Sequence, residues 1–344
     1  MTDNFPGYWA ETAVKSACLR HAMIWQTLSR ETREIRFMKK STTLNRRQFV
    51  GAMAAGSAPI LLGSSTFAAN NGQTSQQPIC CFAKPLQHLS MDALADRVAE
   101  MGFQGIEATI RKGGQIEPAQ VKEELPKLVE ALRKRNLEIT VMASDINDAD
   151  HADTEPVLRT AAELGIQRYR MKYFHYDLKR PIAQQLEEIK PRLKALAALN
   201  RELEITAVYQ NHAGNGLVGA MVWDLHELLQ DISPQEIGIA YDIRHATVEG
   251  GLSWPVGFHL VRPHIDVVYV KDFQWKEGKP RNVPLGEGMV DPKFFAMLQQ
   301  SDFHGPFSLH MEYIDHRDPQ LGEARLAAIA RDIRVLRRWL DEAA

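Results

Sequence analysis

The sequence has few cysteines and no pattern that suggests a disulfide framework. Its three cysteines are Cys18, Cys80 and Cys81, in a chain of 344 residues. Cys80 and Cys81 are adjacent in an apolar run, and neighbouring residues of a strand point to opposite faces, so we do not expect a disulfide between them. We predict that both are small buried hydrophobic side chains, as free cysteines commonly are.

The sequence also lacks an excess of either charge. Lysine and arginine together number 41 and aspartate and glutamate 43, which gives a formal net charge of −2. This balance provides no electrostatic attraction for nucleic acid, and no motif for binding DNA or RNA is present. The Gly-Glu-Gly segment at 286–288 lacks the strand-to-helix context of a dinucleotide fingerprint. We therefore expect neither a nucleic-acid partner nor a nucleotide cofactor.

No hydrophobic run is long enough for a stable membrane span, but residues 38–69 resemble an export signal. Two lysines open this segment, and Arg46 and Arg47 are followed by Gln-Phe-Val, which matches the twin-arginine (Tat) pattern. A mild stretch rich in alanine and glycine comes next, and small residues precede a cleavage position after Ala68. The alternative is an N-terminal helix that carries two arginines.

The Tat resemblance predicts how the chain is divided and where it acts. Residues 38–69 are the signal, and the polar residues 70–78 form a linker to one domain at 79–344. Tat arginines normally lie close to the N-terminus, so we expect residues 1–37 to be an untranslated or disordered extension and Met38 to be the true start. The domain is then a partner of the Tat machinery and is exported to the bacterial periplasm or another extracytoplasmic compartment.

From residue 79 onward, short apolar runs alternate with amphipathic stretches. The apolar runs lie near residues 79–83, 104–109, 137–143, 167–174, 204–210, 237–242, 266–271 and 306–313. The amphipathic stretches lie near residues 90–101, 118–135, 154–164, 182–200, 221–230, 255–262, 291–300 and 320–342. Eight strand–helix units are typical of an α/β fold of the (β/α)8 TIM barrel type. The last stretch is basic on one face, so a membrane-surface helix is the alternative to an outer helix that closes the barrel.

Polar residues stand at the ends of four apolar runs. Alternate residues of a barrel strand point inward, and active sites of such barrels lie at the C-terminal ends of the strands. The inward positions at these ends are Gln210 and His212, Asp242 and Arg244, Tyr269 and Lys271, and His310 and Glu312. Glu107 on the second run, and Arg170 and Lys172 on the fourth, are candidates for the same barrel mouth.

Each of these residues also has a structural interpretation. The alternative for His212 is a hydrogen-bonded structural histidine, and the alternative for Lys271 is a local ion pair with Asp272. His310 lies one layer deeper and is open to a role in orienting Glu312. Arg170 is either a substrate contact or a counter-charge for the acids. A carboxylate is costly to bury without a partner, which favours functional roles for Asp242 and Glu312.

Six segments carry a resemblance to a known family. GFQGIEA, YQNHAGNG, YDIRHA, VYVKDF, PLGEGMVD and SLHMEY, in this order and spacing, resemble the xylose isomerase-like TIM-barrel family of sugar phosphate isomerases and epimerases. The resemblance covers residues 79–340. It implies one divalent metal, often manganese, held by a glutamate, an aspartate, a histidine and a second glutamate. The metal polarises a carbonyl while the glutamates move a proton through an enediolate.

The family positions transfer to this sequence with two departures. The resemblance places the metal aspartate at Asp242, the last glutamate at Glu312, the substrate-binding histidine at His245 and the lysine of HxKD at Lys271. Gln210 replaces the first glutamate, and Tyr269 replaces the metal histidine. A glutamine cannot act as a base, and two carboxylates with one amide oxygen would hold Mg²⁺ or Mn²⁺ weakly. Gln210, Asp242 and Glu312 are the candidate ligands, and metal binding stays open.

We predict proton abstraction next to a carbonyl of a small-molecule carbohydrate. Glu312 is the predicted base, with His212, His245 and Lys271 as further catalytic residues. The predicted substrate contacts are Glu107, Arg170, Lys172, Arg244, Trp254, Glu287 and His310, although Trp254 is also consistent with a structural plug. An isomerase or epimerase for a keto sugar is the first hypothesis. The alternatives are a lyase or hydratase for an oxidised (3-keto) glycoside and a non-catalytic sugar-binding barrel.

Overall fold

A computed structural model describes residues 77–344, and these residues form a closed parallel barrel surrounded by helices. The barrel order is β1-β10-β7-β6-β5-β4-β3-β2. Its strands are β1 Ile79–Phe82, β2 Gly105–Ile110, β3 Glu138–Ser144, β4 Arg168–Arg170, β5 Thr206–Gln210, β6 Ile237–Asp242, β7 Ile265–Val270 and β10 Phe307–Leu309. The predicted TIM barrel is confirmed. The predicted signal at 38–69, the extension at 1–37 and residues 70–76 of the linker lie outside the described residues.

Nine helices follow the strands within this part of the chain. They are α1 Met91–Glu100, α2 Val121–Arg133, α3 Thr154–Glu163, α4 Ile182–Leu203, α5 Val222–Leu229, α6 Ile243–Gly250, α7 Trp254–Val261, α8 Lys293–Gln299 and α9 Gly322–Ala343. The sequence explains their limits locally. At the start of α1 the Ser90 hydroxyl accepts a hydrogen bond from the Ala93 N–H, and beyond its end Gly102 adopts a φ of 80°.

The last helix closes the barrel. Leu326, Ile329, Ile333, Leu336 and Trp339 of α9 are buried in the core between the strands and the helices. This packing agrees with the expected outer helix and not with a membrane-surface element. Among residues 77–344, no helix is both long and apolar enough to cross a membrane.

The barrel interior follows the predicted alternation of side chains. Val141, Val208, Ala240, Val267 and Tyr269 are fully buried and form a separate cluster, distinct from the larger core outside the strands. Val208 and Ala240 precede Gln210 and Asp242 by two residues. The polar side chains at the strand ends therefore lie directly above this apolar layer, because residues two apart on a strand share a face.

Two elements near the mouth were not predicted. Strands β8 Asp272–Lys276 and β9 Lys279–Val283 form an antiparallel hairpin. Its turn residues Glu277 and Gly278 both have positive φ, as a tight two-residue hairpin turn requires. Helix α6 begins directly after β6, where one carboxylate oxygen of Asp242 accepts the N–H of His245 at 3.0 Å.

Candidate active site

A cleft of about 480 Å³ opens at the C-terminal ends of the strands. The predicted site residues in its lining are His212, Arg244, His245, Lys271 and Glu312. They come from the segments that follow β5, β6, β7 and β10, which are neighbours in the barrel. The hairpin β8–β9 adds Trp275 and Asn282 to the wall.

Lys271 is the buried cation of this site. Its Nζ lies 2.7 Å from Glu312 Oε2 and 3.2 Å from Asp242 Oδ2. Burial alone would lower the pKa of Lys271, but the two carboxylates raise it above its usual value, so the ammonium keeps its charge. Burial would raise the pKa of Glu312, but Lys271 and His310 hold it well below its usual range. The site therefore holds an ammonium between two carboxylates.

Gln210 and Asp242 extend this network away from the cleft. The Gln210 Nε2 group donates to Asp242 Oδ2 at 2.7 Å, and its Oε1 accepts from Arg170 at 2.7 Å and from the Tyr173 hydroxyl at 2.5 Å. The amide oxygen thus faces two donors and the amide nitrogen faces an acceptor. Tyr173 lies three residues past β4 and was not foreseen, because its position does not follow the strand-end alternation.

Two imidazoles, His212 and His245, lie beside Lys271 with ring centroids 3.9 Å apart and ring planes tilted by 37°. The Nδ1 atom of His212 lies 2.9 Å from the Ala213 carbonyl, which only accepts, so this nitrogen carries the proton and Nε2 keeps its lone pair. Burial and the neighbouring Lys271 lower the pKa of His212 to about 4. His212 is therefore a neutral base at pH 7.

His245 has the opposite tautomer. Its Nδ1 atom lies 2.8 Å from the Arg244 guanidinium, which only donates, so Nδ1 accepts and Nε2 carries the proton. This Nε2 atom lies 3.6 Å from Asp242 Oδ2. Burial and Lys271 hold the pKa of His245 well below its usual value. His245 thus presents a neutral N–H donor on the Asp242 side of the site.

A second polar cluster lies beneath the cleft, around the fully buried Glu107. One carboxylate oxygen accepts from the Tyr269 hydroxyl at 3.1 Å, and the other from Ser308 at 2.7 Å and His310 at 2.8 Å. The Arg170 guanidinium lies 3.5 Å from the same carboxylate. Burial would raise the pKa of Glu107, but His310 and Arg170 lower it to about 2. Glu107 and His310, which were predicted to contact substrate, are absent from the cleft lining and lie in this internal network.

Three predicted substrate contacts lie apart from the cleft lining. Lys172 is exposed after β4. Glu287 is exposed and its Oε1 lies 3.1 Å from the Arg331 guanidinium of α9. Trp254 begins α7 and packs edge-on against Phe294, with ring centroids 5.9 Å apart. The structure thus does not group these three side chains with Lys271.

Asp272 organises the rim instead of pairing with Lys271. Its carboxylate accepts the backbone N–H groups of Gly286, Gly288 and Val290 at 2.9–3.0 Å. The glycines are explained by this contact: Gly286 has a φ of 86°, and a Cβ at Gly288 would lie 2.0 Å from Asp272 Oδ1. The Gly-Glu-Gly segment is therefore a loop wrapped around a carboxylate.

The arrangement of the candidate ligands does not fit a metal ion. Asp242 Oδ2 faces the Gln210 amide nitrogen and the Lys271 ammonium, and Glu312 Oε2 faces the same ammonium. The Gln210 oxygen is directed to other donors. A divalent cation needs these oxygens to face it together, and no group of three histidine, cysteine or acidic side chains within residues 77–344 is placed to hold one.

The protein belongs to the xylose isomerase-like TIM barrel family. The family pattern of that description matches residues 95–339. This agrees with the closed eight-stranded barrel and with the position of the cleft at its C-terminal face. A comparison with curated proteins gave no match.

Solved structures with the same fold include several enzymes of sugar metabolism. The 3-keto-D-glucoside 4-epimerase YcjR from E. coli shares 15% identity over 74% of this chain and 98% of its own, with a TM-score of 0.56. A D-allulose 3-epimerase from Methylomonas sp. shares 16% over 77% and 98%, with a TM-score of 0.58. A xylose isomerase-like protein from Mycobacterium smegmatis in complex with magnesium shares 13% over 78% and 98%, with a TM-score of 0.59. At these identities the likeness concerns the fold.

Proposed function

We propose that this protein is an isomerase or epimerase that removes a proton next to the carbonyl of a keto sugar or sugar derivative. The observation that carries the proposal is the Lys271 ammonium, held between Asp242 and Glu312 in a cleft at the barrel mouth. An ammonium has three donors, and two of them are directed to these carboxylates. The remaining donor is available to a substrate oxygen that gains negative charge during the reaction.

The order of the strands supports two proton-transfer groups around this ammonium. Along the barrel, β5, β6, β7 and β10 are successive neighbours. His212 follows β5 and Glu312 follows β10, so Asp242 and Lys271 stand between them. A carbonyl oxygen bound at Lys271 would have His212 on one side and Glu312 on the other. Both groups are unprotonated at pH 7, because the pKa of each is lowered.

The proposed reaction begins with proton transfer from carbon to His212 Nε2 or to the Glu312 carboxylate. The electron pair of the broken C–H bond moves into the carbonyl, and the oxygen becomes an enolate next to Lys271. For an isomer, the hydroxyl on the deprotonated carbon passes its proton to the enolate oxygen, and the proton taken from carbon returns to the former carbonyl carbon. For an epimer, a proton from solvent is delivered by the other of the two groups to the opposite face of the same carbon, and the first group releases its proton to solvent. No step uses a metal, because Lys271 supplies the positive charge at this position.

We also propose that the substrate is unphosphorylated and is met outside the cytoplasm. The Tat-like segment at 38–69 supports export, and an unphosphorylated keto sugar or glycoside fits an exported enzyme better than a cytosolic sugar phosphate does. One relative by fold acts on a 3-keto-D-glucoside, which is a substrate of this chemical type. Detection of the mature protein in a periplasmic fraction, with its N-terminus after Ala68, would test the export.

Hydrogen exchange at substrate carbon tests the chemistry. The protein is incubated in D₂O with free keto sugars and 3-keto glucosides, and ¹H NMR follows the protons next to the carbonyl. We expect deuterium at one carbon, and a loss of at least about 100-fold in rate for His212→Gln or Glu312→Gln, in the range assigned to general acid–base catalysis. The exposed His175→Gln is the matched control and should keep the wild-type rate.

The same experiment separates the alternative functions. Elimination of a hydroxyl or aglycone after exchange would identify a lyase, in which the group that took the proton from carbon, His212 or Glu312, would pass it to the leaving oxygen. Binding of a sugar without exchange at any carbon would identify a sugar-binding barrel and contradict the enzyme proposal.

A further inference from the structure

Two basic residues, Lys84 and Arg111, stand at the barrel mouth beyond Glu312. Lys84 lies two residues past β1, where it begins a single 3-10 turn, and Arg111 directly follows β2. Strand β1 lies between β10 and β2, so the order around the mouth is Lys271, Glu312, Lys84 and Arg111. Neighbouring strands are about 4.8 Å apart. Lys84 and Arg111, which we call the basic pair, therefore follow Glu312 at one and two strands.

Glu312 connects the basic pair to the cleft. Its side chain is 26% exposed and is part of the cleft lining, and its Oε2 atom faces Lys271 on the other side. Burial raises the pKa of Glu312, and Lys84 is one of the cations close enough to lower it. A sugar that presents a carbon to Glu312, with its carbonyl at Lys271, therefore has its further substituents on the side of Lys84.

The basic pair has no acidic partner among residues 77–344. No carboxylate oxygen lies within 4.0 Å of a side-chain nitrogen of Lys84 or Arg111. By contrast, Arg170 lies beside Glu107, and Lys271 lies between two carboxylates. Both side chains of the pair are half-buried, and their nitrogen atoms keep contact with solvent. The pair therefore offers donors that a ligand can reach.

The surroundings of the basic pair hold more positive than negative charge. Burial lowers the pKa of Lys84, Glu312 raises it, and Arg111, Arg170 and Lys271 lower it further. Burial and Arg170 also lower the pKa of Arg111. Cations held together in this way repel one another, and an anion placed between them would offset the repulsion.

The backbone fixes both loops before any ligand binds. The Gly114 N–H donates to the Arg111 carbonyl at 2.8 Å, and a Cβ at Gly114 would lie 2.5 Å from the Thr109 carbonyl oxygen. This tight turn therefore requires a glycine. Gln87 joins the two loops, because its Nε2 donates to Thr109 Oγ1 at 3.2 Å and to the Gly113 carbonyl at 3.3 Å.

We propose that the basic pair binds a carboxylate of the sugar, so that the substrate of the cleft is a keto sugar acid. The guanidinium offers a planar set of donors that matches a carboxylate, and the ammonium adds a second charge. A phosphate ester has similar chemistry, but the proposed substrate is unphosphorylated. The proposal rests on the proposed function, and it narrows the substrate from keto sugars in general to their acids.

Unreactive probes test the proposal without requiring catalysis. The methyl glycosides of glucose, galactose and mannose are each compared with the corresponding uronic acid and the corresponding 6-phosphate by isothermal calorimetry. In at least one series we expect the uronic acid to bind at least about tenfold more tightly than the neutral glycoside, the range of a charge-assisted hydrogen bond. This carboxylate gain should decrease between about 0.05 and 0.5 M salt, because the pair is partly exposed.

Three variants and a control assign the gain. Lys84→Met and Arg111→Met should each reduce the carboxylate gain, and together they should remove it, while binding of the neutral glycoside stays unchanged. The Tm of each should be equal or higher, since repulsion between cations is relieved. Lys84→Arg should keep the gain because it keeps the charge. Lys112→Met is the matched control: Lys112 is exposed next to Arg111, and its loss should leave the gain intact.

The proposal is overturned if no uronic acid binds more tightly than its neutral glycoside, or if the gain survives the double variant. A gain confined to the 6-phosphates would overturn the assignment to a carboxylate. Absence of deuterium exchange, together with a gain that depends on the basic pair, would reject the enzyme proposal and keep the carboxylate site. Exchange of neutral keto sugars without any carboxylate gain would do the reverse.

Discussion

Lys271 determines which groups of the site carry charge. Its ammonium lowers the pKa of Glu312 and of both neighbouring imidazoles. The sequence resemblance implied functional roles for Lys271 and Glu312, and it left the position between the carboxylates open to a metal. The distances of 2.7 and 3.2 Å assign it to Lys271. This placement supports the proposed enolisation in which Lys271 stabilises the enolate oxygen.

The pKa of His212 gives a direct test at this scale. We expect His212 to titrate at about pH 4 in the folded protein, whereas an unperturbed histidine titrates near 6.5. Activity should then be level from about pH 8 to pH 6 and should fall as His212 gains a proton. Lys271→Met should raise this pKa, because one of its two main lowering causes is removed. NMR of the imidazole nitrogens measures it.

The exposed Lys172→Met is the control for this titration and should leave the pKa unchanged. A wild-type His212 that titrates near pH 6.5 would contradict the assignment. The same shift affects stability. Between pH 6.5 and about 4 the unfolded chain binds the proton and the folded protein does not, so the contribution of His212 to the free energy of unfolding decreases as the pH falls.

Sequence analysis identified five of the residues that line the cleft but not their hydrogen-bond partners. The strand-end alternation pointed to Asp242, Lys271 and Glu312, since alternation follows from strand geometry alone. The hydrogen bonds to Gln210 depend on Tyr173, whose position past a three-residue strand follows no such period. Glu107 was predicted to contact substrate, and its burial beneath the cleft depends on the donors from three other strands.

At the scale of elements, Glu107 joins strands that are distant in the sequence. It lies on β2 and is bonded to side chains of β7 and β10, with Arg170 of β4 beside it. Glu107→Gln would leave Arg170 without its buried counter-charge. We expect a loss of about 3–5 kcal/mol in the free energy of unfolding, the usual cost of breaking a buried ion pair.

Urea denaturation measures this loss, with the exposed Glu138→Gln of β3 as the matched variant. The free energy of unfolding of this variant should stay within about 0.5 kcal/mol of that of the wild type. Equal stabilities of the two variants would mean that the Glu107 network does not hold the strands together. The experiment is independent of any activity.

The periodic elements were predicted correctly, and the elements that shape the rim were not. Eight apolar runs and eight amphipathic stretches correspond to the barrel strands and outer helices, because burial of one face imposes a period. The hairpin β8–β9 is too short and too exposed for such a signal. The sequence did not predict helix α6, because Arg244 and His245 of this helix face the cleft and its hydrophobic pattern is not that of a helix packed on a core.

At the scale of the whole molecule, the position of Lys271 between the two carboxylates predicts how the protein responds to metal ions. Mn²⁺ or Mg²⁺ should leave the Tm of the protein unchanged, since Lys271 occupies the position between the carboxylates. The double variant Gln210→Glu with Lys271→Met replaces the amide by a carboxylate and removes the ammonium. The Tm of this double variant should rise by roughly 5–10 °C when Mn²⁺ is present at about 100 times the Kd of the variant for Mn²⁺.

Differential scanning calorimetry with and without a chelator measures both proteins, and elemental analysis checks the metal content after purification. Lys172→Met combined with Gln210→Glu is the control and keeps Lys271. A wild-type Tm that rises with Mn²⁺, or a stoichiometric metal in the purified protein, would contradict the prediction that Lys271 prevents metal binding.

The bonds from Asp272 to the backbone of Gly286, Gly288 and Val290 have a consequence for the speed of substrate capture. They fix the start of the hairpin β8–β9, which supplies Trp275 and Asn282 to the cleft, so this wall is ordered before a ligand arrives. A sugar can therefore bind against this wall without a preceding closure of the loop. Its capture should then proceed in one kinetic phase, at a rate proportional to its concentration, and the barrier to turnover would lie in the later transfer of the proton.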